Sequence, residues 1–171
     1  MKKHKGMRPQ DVAILLKIAA KGKQPWMMKD LARELEISAS EVSESLNRSV
    51  LAGLIKSDKK QLMRLALQEF LVHGLRYVFP QVPGELVRGM PTAHSASPLK
   101  EEIVGGGDVY VWPFAQGKDR GQAIAPLYPK LPHACQKDQT FYELMALVDS
   151  FRVGKARERK IAERLLNERL C

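Results

Sequence analysis

Apolar positions recur at helical spacing in two blocks of the chain, separated by a block where the spacing is lost. In the first block, about residues 8–74, Val12, Leu15, Leu16 and Ala19 follow Pro9 at intervals of three and four. Pro9 suits a first helical turn, where its missing N–H costs nothing. Gly22-Lys23-Gln24-Pro25 is a break. Leu31, Ala32 and Leu35 then give the apolar side of a short second helix. Val42, Leu46 and Val50 repeat every four residues in a third, with Gly53 placed to end it. Leu62, Leu65, Ala66, Glu69 and Phe70 predict a fourth helix running to about Gly74.

Residues 75–138 hold eight of the ten prolines and most of the glycines. Short strands are expected at Leu75–Phe79, Glu85–Arg88, Val109–Trp112 and Ala123–Tyr128, within a loop-rich unit. From about residue 139 to 171 the helical period returns. Phe141, Leu144, Leu147, Val148 and Phe151 form one stripe, and Ile161, Leu165, Leu166 and Leu170 a second beyond Gly154. The expected fold is therefore mainly α with a minor β component, in three segments: 8–74, 75–138 and 139–171.

Charge adds a direction to this layout. The net formal charge is +9, and residues 1–64 carry +7 of it. Residues 65–139 are neutral and 140–171 carry +2. A basic excess concentrated on the first helical block suits a polyanion partner. No apolar run approaches a membrane span, and the basic start, Lys2, Lys3, His4 and Lys5, has no apolar segment behind it to read as a signal peptide. Two cysteines, Cys135 and Cys171, are no disulfide framework, so a cytoplasmic location is expected.

The second and third helices carry the chemistry. Reading DNA requires a helix with one face buried and the other free to enter a major groove ~12 Å wide. The preceding helix holds it through a tight turn. Leu31, Leu35, Ile37, Val42 and Leu46 supply a shared core, and small Ala32 lets the helices cross closely. Ser38 and Glu41 read as a capping box that fixes where the third helix starts. The outward face is then expected to show Ser40, Ser43, Glu44, Asn47 and Arg48. Lys29 on one side and Lys56, Lys59, Lys60 and Arg64 on the other are candidate phosphate contacts.

The stretch Leu31–Ile55 resembles, without a gap, the helix-turn-helix of MarR-like winged-helix transcription regulators. The matching marks are Leu31-Ala32, Leu35, Ile37-Ser38, Ser40, Val42-Ser43, Leu46, Arg48 and Gly53-Leu54-Ile55. The resemblance covers about a seventh of the chain. It implies a winged-helix fold, binding of double-stranded DNA, and Ser38, Ser40, Ser43, Asn47 and Arg48 at or near the duplex. Three departures stand out. Glu36 occupies a turn position where relatives often have Gly. Glu44 puts an acid on the reading face. After Ile55 only Lys56-Ser57-Asp58-Lys59-Lys60 precedes the next helical pattern, so the wing is reduced.

The expected function is sequence-specific regulation of transcription by a homodimer, since one small module reads few base pairs. The stripes Phe141–Phe151 and Ile161–Leu170 are the candidates for the dimer contact. The alternative is an antitoxin-like or regulatory subunit that grips a protein partner through residues 75–171 and autoregulates through its helix-turn-helix. No catalytic set, cofactor motif or metal site is expected. His133 and Cys135 are two ligands where a structural zinc needs about four. Gly105-Gly106-Gly107-Asp108 lacks the lysine and hydroxyl of a phosphate loop. His94, Ser95, Ser97 and Asp108 form no nucleophile motif.

Overall fold

The computed structural model describes residues 6–104 and 107–170. Lys2, Lys3, His4 and Lys5, the glycines Gly105 and Gly106, and Cys171 lie outside them.

Helix α1 (Pro9–Lys21) starts at Pro9, with the Asp11 carboxylate accepting the Arg8 N–H at 2.8 Å. Its apolar surface is not a single stripe: Val12, Ala13, Ile14, Leu15, Leu16 and Ile18 are all buried. A helix apolar on all sides must be covered on all sides. Here α2 (Met28–Leu35) and α3 (Ala39–Leu51) lie on one flank, and α8 (Gln139–Val153) lies on the other. Ser38 caps α3, its hydroxyl accepting the Glu41 N–H at 3.2 Å. A two-stranded hairpin follows. Met63 N–H bonds Leu54 O and Lys56 N–H bonds Gln61 O, both at 2.9 Å, around the bridge Ile55–Leu62. Asp58 Oδ1 accepts from the Lys60 and Gln61 N–H groups, and Lys59 takes a left-handed conformation at φ 59°.

The next helix does not stop near Gly74. The segments α4 (Arg64–Glu69), a π turn (Phe70–Gly74) and α5 (Leu75–Val78) form a continuous helical rod. The strand expected at Leu75–Phe79 is absent because Leu67, Leu71 and Leu75 keep one buried face going past the glycine. Gly74 itself makes room for the Phe70 ring, which would lie 3.1 Å from an added Cβ.

Strands β1 (Leu86–Pro91), β2 (Tyr110–Pro113) and β3 (Asp119–Ala123) close into a three-stranded barrel. β1 runs antiparallel to both others, pairing Met90 with Trp112 and Val87 with Gly121. β2 and β3 run parallel, with Tyr110 against Gln122. The third strand lies earlier than expected, ending at Ala123. Ile124, Leu127 and Tyr128 are buried as loop residues instead. Helix α6 (Leu99–Glu102) lies between β1 and β2 in the chain, and α7 (Leu131–Gln136) follows β3. Helix α9 (Ala156–Leu170) closes the fold against α8.

All three segments contribute to one apolar core, with α8 at its centre. Asp149 of α8 ties the barrel to the helices: it accepts from Trp112 Nε1 at 2.6 Å, Thr92 Oγ1 at 2.7 Å and Arg152 at 2.9 Å. The stripes named as candidates for a dimer contact are used inside the subunit. Phe141, Leu144, Leu147, Val148, Phe151, Leu165, Leu166 and Leu170 are buried without any partner chain. A dimer built on them would require this core to open.

Candidate nucleic-acid interface

The turn between α2 and α3 is set by one residue. Glu36 sits in the left-handed region, φ 56° and ψ 44°, where a side chain is disfavoured and glycine is at ease. The His133 ring of α7 bonds its carboxylate, and Tyr128 donates to Leu35 O at 3.1 Å. Segment 128–137 is thereby docked on the turn. The bond from His133 holds the Glu36 carboxyl below the usual glutamate value, and Lys137 and Lys130 add to that effect. α7 is therefore a cationic neighbour of the start of α3.

The buried side of α3 is Val42, Ser45, Leu46 and Ser49. Ser40, Glu44 and Asn47 are exposed on the opposite side, with Leu51 at its end. Ser38 is exposed before the helix and bonded to Ser40 at 3.2 Å, and Ser43 is half-buried at the margin. Hydroxyl and amide groups on a free helix face can donate to and accept from base edges.

Arg48 does not belong to this face. Its guanidinium turns back to α1, with Nε and Nη2 each 2.8 Å from the two oxygens of Asp11. Asp11 is 0% exposed and Arg48 8%. At 100° per residue, Arg48 lies on the flank between the two faces of α3. From a flank a long side chain can go either way, and the buried carboxylate decides. With Arg48 withdrawn, the outward side of α3 has no cation of its own and carries Glu41 and Glu44. Any attraction for phosphate must come from around it.

Those surrounding cations differ in freedom. Lys29 and Lys56 are exposed, and Lys59 is half-buried at the hairpin tip. Lys60 is partly engaged: its ammonium donates to Trp26 O at 2.8 Å and stands 4.0 Å over the Trp26 ring. Arg64 donates to Leu170 O at 3.1 Å and so anchors the end of α9. Lys130 and Lys137 are exposed beside the turn. Sequence reading missed these two, because nothing local in 128–137 signals that it docks on Glu36. Asp11 was equally hidden, being 37 residues from its partner.

Among the described residues no group of three or more His, Cys, Asp or Glu stands together to hold a metal ion. Cys135 is buried, and burial pushes its thiol well above the usual range. No helix among them is long and apolar enough to cross a membrane. No family model, no curated protein and no solved structure matches the chain.

Proposed function

We propose that this chain is a sequence-specific regulator that binds double-stranded DNA through α3, in a winged-helix arrangement with a hairpin stub for a wing. One observation carries the reading: the Ser40–Glu44–Asn47 side of α3 is left uncovered by the rest of the subunit. Lys29, Lys56 and Lys59, and Lys130 and Lys137 at the two ends of α7, supply a salt-dependent phosphate attraction around it. Asn47 and the serines supply base reading, with Asn47 suited to a bidentate contact to adenine. Glu44 disfavours phosphate and is suited to accept from a cytosine amino group. The regulator acts as a homodimer on two half-sites and in the cytoplasm, where a free, buried Cys135 is at home.

The test is a gel shift with the chain's own upstream region, against an unrelated duplex, over a salt series. A reader of sequence holds the first duplex at salt concentrations that release the second. Equal release of both duplexes at the same salt overturns the reading.

A second reading has its own support. Tyr77 and Val78 on α5, Val82 in the connection that follows and Leu86 at the start of β1 are large apolar residues left exposed, which suits a protein partner gripped by residues 75–171. An antitoxin-like or regulatory subunit of this kind forms a stoichiometric complex when co-expressed with its neighbour-encoded protein. A monodisperse homodimer with no such complex favours the simple regulator.

A further inference from the structure

The small barrel carries its own concentration of positive charge. On the antiparallel strands β1 and β3, Arg88 and Arg120 stand directly opposite each other. Opposed residues share a face, with Cβ atoms ~4.5–5.5 Å apart, and like charges in that position destabilise a sheet. Lys118, just before β3, joins them. All three line one cleft of about 520 Å³, together with Gln116 and the 115–117 turn.

Four of the more buried cations are each paired with a carboxylate: Arg48 with Asp11, Arg152 with Asp149, Lys17 with Asp138, Lys21 with Glu34. Among the described residues no carboxylate pairs with Arg88, Lys118 or Arg120, and all three are exposed. Asp119 also lines the cleft, and as the residue between Lys118 and Arg120 it alternates toward Tyr142 on the other side of β3.

The frame of the cleft is rigid. A Cβ on Gly117 would lie 2.2 Å from Gly89 O, and one on Gly89 would lie 2.0 Å from Trp112 O. The turn after β2 is thus packed backbone to backbone on β1. It is pinned by Phe114 N–H to Arg88 O at 3.2 Å and Gly117 N–H to Phe114 O at 3.0 Å. A ligand entering here meets a backbone already in place and has only the three cationic side chains to order.

We propose that this cleft is an anion site for a phosphoryl group, clamped by the Arg88 and Arg120 guanidiniums with Lys118 as the third cation. Planar guanidiniums match the paired oxygens of phosphate, and an anion between them removes their mutual repulsion. The phosphoryl group comes from a nucleic-acid backbone or from a free phosphorylated small molecule. The site stands on the barrel alone and does not depend on what α3 reads.

Inorganic pyrophosphate is the probe, added to the full chain at millimolar concentration and fixed ionic strength while thermal unfolding is followed. The midpoint of the wild-type chain rises by roughly 3–6 °C at ten times the dissociation constant. Arg120→Gln has two effects: it raises the midpoint without anion by roughly 1–3 °C, because a repulsion is gone, and it abolishes the pyrophosphate response. Arg157→Gln, an exposed arginine on α9 outside the cleft, keeps the response. A wild-type midpoint that ignores pyrophosphate, a response that survives Arg120→Gln, or one abolished equally in Arg157→Gln overturns the site. A salt series with duplex DNA then separates the sources. An Arg120→Gln slope shallower by about one assigns the phosphate to nucleic acid, and an unchanged slope assigns it to a small molecule.

Discussion

Arg48 and Asp11 form a buried, two-point ion pair that bolts α3 to α1, both contacts being 2.8 Å. Removing one partner from such a pair leaves an uncompensated charge in the core and costs about 3–5 kcal/mol. Arg48→Ala is therefore expected to lower unfolding free energy by that amount in urea titration. Its effect on DNA is indirect, through loss of folded protein. Replacing both residues by apolar ones of similar volume is expected to recover most of the loss. If Arg48→Ala unfolds at the wild-type urea concentration, the pair has no structural role.

Asn47 offers the complementary test, because it is exposed on the uncovered side of α3. Asn47→Ala is expected to change stability by no more than about 0.5 kcal/mol. It should reduce the preference for the specific duplex by about 1–3 kcal/mol, roughly 5- to 150-fold, leaving non-specific binding in place. Competition gel shifts measure both quantities. An unaltered preference removes Asn47 from base reading.

Lys130 and Lys137 belong to the α7 segment docked on the α2–α3 turn. For every phosphate left without its neutralising cation, the salt dependence of binding becomes shallower by about 0.9. The double substitution Lys130→Gln with Lys137→Gln is expected to reduce that slope by about one to two, equally for specific and unrelated duplexes. A slope that stays at its wild-type value removes Lys130 and Lys137 from the footprint.

Glu36 stores strain that glycine does not. Glu36→Gly removes a left-handed side chain, a relief of about 1 kcal/mol, and at the same time cuts the bond to His133. Glu36→Ala cuts the bond and keeps the strain. The difference in unfolding free energy between the two variants isolates the backbone cost, and glycine is expected to be the more stable by about that amount. Equal stabilities contradict a strained turn.

Acid should act on the Lys17 cluster. Burial pushes the Asp138 carboxyl up, but the Lys17 ammonium at 2.6 Å and the Phe141 N–H outweigh it and hold the carboxyl below the usual aspartate value. A folded-state value below the unfolded one stabilises above the unfolded value of 3.8. That contribution is lost as pH falls through the folded value. Stability is thus expected to fall below about pH 4. Asp138→Asn should be less stable at neutral pH and less sensitive to acid in that window, as measured by urea unfolding at stepped pH.

The helices α1 to α3 were legible because their signals are local: Pro9 at an entry, Ser38 at a cap, and apolar positions three and four apart. The same local reading placed Ser40, Glu44 and Asn47 outward. It failed for Arg48, where direction depends on a carboxylate in another helix, and for α1, whose second buried flank exists only because α8 packs there. The end of the helical rod was misjudged because Gly74 reads as a stop, while the π turn carries the Leu67–Leu71–Leu75 face through it. The strands expected at Glu85–Arg88 and Val109–Trp112 overlap β1 and β2, but the third strand and the closure into a barrel were not legible. Its strands are four to six residues long, two of them end in proline, and β2 meets β3 in parallel with no helix between them.

Closure of that barrel has a consequence for how the middle of the chain meets other proteins. An open sheet invites a foreign strand to extend it through main-chain hydrogen bonds. Here each short strand has the other two as neighbours, so a foreign strand finds only a few positions at a time left open on one side. A protein that engages residues 86–123 is expected to do so mainly through side chains, and this segment offers little continuous backbone for fibril-like stacking.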